Sequence, residues 1–146
     1  MLSVFLVCFD SENEGRLYSP YLKNEVVFDS QSEFFLIADG CCDRMASPQH
    51  SMEPRTFGER RALKHIKHIF GVRYDTEAIR SKGKAATFLV TISFRYNASW
   101  QGTVRWVEGE KHEDFRSVLE LLRIFNGVFT NGTDEDAIID SAFLDF

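Results

Sequence analysis

The chain has 146 residues, a formal charge of −5 and 44% apolar residues, with Phe the commonest aromatic at 14 copies. That is enough for one compact domain with a sizeable core, and it excludes a disordered chain. The acidic balance argues against a protein that simply coats nucleic acid.

Three cysteines, an odd number with Cys41 and Cys42 adjacent, give no disulfide framework and point to a reducing cytoplasm. The first apolar run, Leu2 to Phe9, is too short to span a membrane and has no basic leader before it. It reads as a first strand from Val4 to Phe9. A polar turn follows over residues 11–15. Residues 16–19 and 25–28 read as two short strands around the bend at Pro20.

Ser30 and Glu33 then form an S-x-x-E helix start. The Ser hydroxyl accepts from the N–H three residues on, and the Glu is expected to reach back to the N–H of the Ser itself. Phe34, Ile37, Ala38, Cys41 and Met45 recur at helical spacing, so the helix runs to about Met45. Residues 1–45 therefore read as a βββα unit.

Residues 46–56, with Pro48 and Pro54, read as a loop, and residues 57–70 as a helix with Leu63, Ile66, Ile69 and Phe70 inward. Together with the stretch up to residue 85 they form a basic connector. Residues 86–128 repeat the first pattern. From Ala86 to Tyr96 the chain alternates, placing Phe88, Val90, Ile92, Phe94 and Tyr96 on one face. Asn97 to Ser99 is a turn, and residues 101–107 run back with Val104 and Trp106 on one face. Glu108-Gly109 is a second turn, and residues 110–115 lead to the Ser117–Glu120 helix start. The tail, 129–146, reads as a short docked helix capped by Thr133, with Ile138, Ile139 and Phe143 on its apolar side.

The two units share residues at fixed offsets. Phe28, Ser30, Glu33, Ile37 and Gly40 recur as Phe115, Ser117, Glu120, Ile124 and Gly127. Gly15 precedes Phe28 by the same thirteen residues as Gly102 precedes Phe115. Phe5-Leu6-Val7 matches Phe88-Leu89-Val90, with four more residues before the Gly in the second copy. The expected fold class is α+β: two pseudo-repeated βββα units, each an antiparallel meander closed by a capped helix, joined by a basic helical connector. Internal duplication can replace a homodimer, which favours a monomer.

No sequence motif fixes a chemistry. Residues 55–84 hold nine Lys or Arg against three acids, a net of +6, so the remainder carries −11. Arg60, Arg61, Lys64 and Lys67 could contact nucleic acid; the competing reading is a solvated face neutralised by the chain's own acids. His65 and His68 lie one turn apart, but no C-x-x-C supports a metal site, and none is expected. Neither a cofactor nor catalytic residues are expected: Cys8 and Cys41 sit on apolar stretches, where thiols are usually inert packing. Trp100, at a hairpin tip, is a candidate binding anchor, or else folds over the sheet. Glu108, Glu110, Glu113, Asp114 and the tail acids Asp134, Glu135 and Asp136 form a candidate acidic partner surface.

The segment from Ala86 through Arg95-Tyr-Asn-Ala-Ser-Trp100 and Trp106-Val-Glu-Gly109 to Phe115-Arg-Ser-Val-Leu resembles a family of small proteins of gut Firmicutes and their mobile elements. Gly15-Arg-Leu-Tyr18, Phe28-Asp-Ser30 and Phe57-Gly58 are similar to the same family. The resemblance implies no catalytic residues. It implies a mobile-element protein, of the kind that includes counter-defence inhibitors such as anti-CRISPR proteins. The expected role is a non-enzymatic, cytoplasmic protein-binding module that blocks a nucleic-acid-binding surface of a Cas or other nucleic-acid-handling effector. A nucleic-acid-binding regulator using the basic segment is the alternative.

Overall fold

The computed structural model describes residues 3–20, 22, 24–45, 48–49, 51–52, 55, 57 and 81–130. The expected helix over 57–70 and the expected tail helix lie outside these residues. Among the described residues, six strands and two α-helices are formed: β1 (Ser3–Phe9), β2 (Gly15–Tyr18), β3 (Val26–Phe28), α1 (Gln31–Met45), β4 (Ala86–Phe94), β5 (Gln101–Trp106), β6 (Lys111–Phe115) and α2 (Val118–Thr130). The fold is α+β. All six strands form one antiparallel sheet in the order β3-β2-β1-β4-β5-β6.

Alternation decides which face each strand buries. Phe5, Val7 and Phe9 of β1 and Phe88, Val90 and Ile92 of β4 point to one side, where they share a single core with Phe34, Ile37, Leu121 and Phe125 of the helices. Both helices therefore cover the same face of the sheet. Phe9 is the hub: the rings of Phe28, Phe88, Phe125 and Phe129 lie 5.4, 5.8, 5.1 and 5.1 Å from it, all edge-on. Edge-to-face packing of this kind adds to simple burial, because the ring edge is positive and the ring face negative.

The strand registers hold three relationships that matter below. On the two central strands Leu6 lies opposite Leu89. Gly15 lies opposite Phe28, and Gly102 opposite Phe115. A Cβ on Gly15 would come within 2.4 Å of the Cys8 carbonyl oxygen, and one on Gly102 within 1.9 Å of the Thr91 carbonyl oxygen. Both glycines are therefore required by close backbone approach.

Both helices begin at the expected serines. Ser30 Oγ accepts from the Glu33 N–H (3.2 Å) and Ser117 Oγ from the Glu120 N–H (3.1 Å). The return bond differs from expectation. Glu33 accepts from the N–H of Asp29 (2.9 Å) and Glu120 from that of Arg116 (2.7 Å), one residue ahead of the Ser. The bend between strand and helix turns that earlier N–H over the first helical turn, so it is the donor the carboxylate meets.

The expectation that Phe94 and Tyr96 continue the inward face of β4 is overturned. A register shift between Ile92 and Phe94 breaks the alternation. A bulge adds one residue to one strand and so re-aims everything after it. Phe94 and Tyr96 are 50% and 49% exposed, and Arg95 goes inward at 1%.

Candidate functional site

Of the acidic surface read from the sequence, Glu108, Glu110, Glu113 and Asp114 fall at the sheet's edge. β6 is the last strand, and residues 107–110 turn the chain into it. Gly109 lies against Trp106, where a Cβ would meet the indole at 2.0 Å. Glu110 takes a left-handed φ of 52°. Glu108 holds the fold together at this point, since its Oε1 accepts from the Thr87 N–H at 2.7 Å and so fixes the turn to β4. Glu110, Glu113 and Asp114 are exposed. Glu113 and Asp114 line a shallow depression with Arg116, Glu120, Arg123 and Ile124 of the α2 side. Lys111 and His112 interleave with these acids, so residues 108–114 carry four carboxylates against one lysine.

Trp100 is not part of that surface. It is 2% exposed, and its ring packs 5.4 Å from Phe35 and 6.3 Å from Phe34. The chain re-enters the sheet at β5 directly after it, which carries the indole beneath α1. Of the two sequence readings of Trp100, the folded-over one holds, and the exposed anchor is withdrawn. Its Nε1–H donates to Asp39 Oδ1 at 2.9 Å.

Asp39 belongs to a cluster that sequence reasoning missed. Arg95 donates from NH1 to Asp39 Oδ1 (3.1 Å) and Asp43 Oδ1 (2.7 Å), and from Nε to the Pro48 carbonyl. A guanidinium removed from water needs counter-charges and filled donors. Asp39 and Asp43 supply them because they stand four residues apart on one face of α1. Part of the signal was present, in two acids at helical spacing; the inward turn of Arg95 was not, because the alternation assigns it to the outer face. The cluster fastens α1 to the end of β4 and to the segment after α1. Just outside it, Phe94 and Tyr96 lie face to face, 5.0 Å apart and 13° from parallel.

A second polar row crosses the face of the sheet away from the helices. Arg16 donates to Asp10 (3.1 and 3.3 Å), to Tyr18 Oη (3.1 Å) and to the Lys82 carbonyl (2.8 Å), and Tyr18 donates to Glu25 (2.6 Å). Partial burial alone would raise the Asp10 pKa, but the bonds from Arg16 and the Lys84 N–H outweigh it and hold the carboxyl below its ordinary value. Burial, and then the bond to Glu25, push the Tyr18 phenol up.

Cys8 stands between Arg16 and Thr87 in that row. Burial pushes its thiol up to about 11, with Arg16 opposing. Cys41 and Cys42 are pushed up by burial to about 12 and about 11. All three are protonated at neutral pH, and a protonated thiol is a poor nucleophile. His65 and His68 lie outside the described residues, as do Arg60, Arg61, Lys64, Lys67, Asp134, Glu135 and Asp136. Among the described residues, no three His, Cys, Asp or Glu side chains are grouped to hold a metal ion. Among them also, no helix is long and apolar enough to cross a membrane.

Compared with protein-family models, with curated proteins and with solved structures, the chain finds no match in any of the three.

Proposed function

We propose that the chain is a protein-binding module that presents the β6 edge and its preceding turn to a basic surface of another protein. The observation that carries this reading is the exposure of Glu113 and Asp114 on the terminal strand of the sheet and of Glu110 in the turn before it. Exposed carboxylates in a row steer a basic partner and repel other acidic surfaces. An edge strand also offers backbone groups to an incoming chain, and its charges limit self-pairing.

A basic groove built for nucleic acid is the kind of surface such an edge complements. Blocking that groove on a nucleic-acid-handling effector is the narrower role implied by the family resemblance, and it forms part of this proposal. The test is capture of a basic nuclease by the full chain at moderate salt. Glu110→Gln, Glu113→Gln and Asp114→Asn combined should reduce capture about tenfold or more, in line with the loss of three interfacial charges. Retained capture in that variant rejects the acidic edge. If instead generic duplex DNA or RNA binds, and charge reversal at Arg60 and Arg61 abolishes it, the chain is a nucleic-acid binder.

We also propose that the two halves descend from one βββα unit, which makes a self-sufficient monomer the expected state. Several observations support this. The offset that takes Phe5 to Phe88 takes Leu6 to Leu89, and those two residues face each other across the sheet's centre. The same glycine–phenylalanine opposition and the same displaced Glu bond occur in each half.

A further inference from the structure

The bulge in β4 delivers two aromatic rings to the surface, on a sheet whose Phe5, Phe9, Phe28, Phe88 and Phe115 are buried in the core. The turn beneath them is tied down on several sides. The Tyr96 N–H donates to Gln101 Oε1, and Gln101 Nε2 donates in return to the carbonyls of Tyr96 and Arg116. The Asn97 N–H donates to Ser51 Oγ, and the Ser51 N–H to the Arg95 carbonyl. Arg95, between the two aromatics in sequence, is buried on Asp39 and Asp43. Asn97 and Ala98 hold left-handed φ angles of 58° and 56°. A fixed turn that exposes two stacked rings loses little conformational freedom on binding, which is the property of an interface anchor.

We propose that the Phe94–Tyr96 stack anchors the partner interface described above and that it takes an arginine side chain of the partner protein. This rests on the reading of the chain as a module for a basic protein surface. Stacked flat rings with open faces select flat groups, either a guanidinium or a nucleobase. Charge decides between them. Phe94 pairs with Gln101 on β5, and β5 pairs Thr103 with Asp114 on β6. Asp114 therefore stands about 12 Å from Phe94, two strand spacings across and two residues along, whereas Glu113 lies opposite the buried Val104 and on the other face of the strand. Asp114 repels a phosphate backbone and attracts a guanidinium, which can stack on the rings while its neighbours in the partner pair with the carboxylates farther along the edge. Lysine has the charge but no planar face.

The test titrates a capped arginine–serine peptide of roughly a dozen residues, and its lysine counterpart, into the full chain while following the ring signals of Phe94 and Tyr96. The arginine peptide should shift both rings and bind about fivefold or more tightly than the lysine peptide. Phe94→Ala with Tyr96→Ala should weaken arginine binding about tenfold and erase the difference between peptides. Both rings are half exposed, so the fold should survive, and Tyr96→Phe should bind like the parent chain. Equal binding of the two peptides, or unchanged binding by the double alanine variant, overturns the anchor. If Glu113→Gln with Asp114→Asn still weakens binding in that case, the acidic edge stands without it. Rings that answer arginine while the edge variants change nothing support the anchor and remove the edge. An oligouridine that moves the rings more than the arginine peptide overturns the proposal in favour of a nucleobase.

Discussion

Arg95 donates to Asp43 across 2.7 Å from a position that is 1% exposed, just past β4, where the unbroken alternation of the sequence would have turned it outward. The pair is the means by which the sheet holds the C-terminal half of α1. Removing one partner of a buried pair costs about 3–5 kcal/mol. Asp39 and Asp43 retain 30% and 17% exposure, so water can recover part of that loss. Arg95→Met should therefore destabilise by about 2–4 kcal/mol in urea unfolding. Trp100→Phe removes the bond to Asp39 together with part of a buried ring, and should cost about 2–3 kcal/mol. Similar small losses for both would show that the cluster is not a fastening.

The same residue shows where sequence reasoning stops. Periodicity located the strands because large apolar side chains alternate toward the helix-covered face. The Ser–Glu pairs located both helix starts because a helix must satisfy its first N–H groups. A bulge carries no such signal. It adds one residue without changing composition, and it inverted the faces of Phe94, Arg95 and Tyr96. The burial of Trp100 depends on α1 lying over it, a contact between residues 61 positions apart. The acidic edge was legible because exposed charges need no partner to be recognised.

Three of the four glycines in the repeated sequence pattern should respond in opposite directions. Gly15→Ala and Gly102→Ala drive a methyl group into a neighbouring carbonyl, at 2.4 and 1.9 Å. Strands must part, and each should lose about 2–3 kcal/mol, the scale of an overpacked core. A methyl on Gly127 meets nothing within 4 Å. Gly127→Ala should stabilise by about 0.5–1 kcal/mol, since alanine restricts the unfolded chain and suits a helix. Thermal unfolding of the three single variants checks both signs.

Glu120 should give the acid limb of stability a distinct step. The side-chain and backbone bonds from Arg116 lower its pKa from the ordinary 4.5 to about 2. Its folded value lies below its unfolded value, so its contribution is complete above about pH 4.5 and is lost as pH falls through 2. Glu120→Gln keeps an acceptor for the Arg116 N–H but cannot titrate. Urea midpoints measured from pH 6 to pH 2 should fall less steeply in that variant. An unchanged slope would mean that the ion pair on this exposed turn is screened away.

The thiols should be silent in the native chain. Burial holds Cys8 and Cys42 at about 11 and Cys41 at about 12, so the reactive thiolate is scarce at neutral pH. A thiol reagent at pH 7.5 should label none of the three until urea unfolds the chain, and then all three. Rapid native labelling of Cys8 alone would place a reactive thiolate beside Arg16 and reopen a nucleophilic role for it.

Ala98 is held in a conformation that suits glycine, with a φ of 56°. A non-glycine residue there costs about 1–2 kcal/mol, because Cβ crowds the following carbonyl. Ala98→Gly removes that strain and adds about 0.5–1 kcal/mol of unfolded-state freedom. The balance is a gain of about 0.5–1 kcal/mol. Asn97→Gly should change little, because asparagine tolerates the left-handed region through local hydrogen bonds. If Ala98→Gly raises the melting temperature and leaves the ring signals of Phe94 and Tyr96 in place, the hydrogen bonds to Gln101 and Ser51 are what fix the tip. If the rings lose their mutual shift, the stack depends on the stiffness of alanine at that position, and the anchor is held by the backbone.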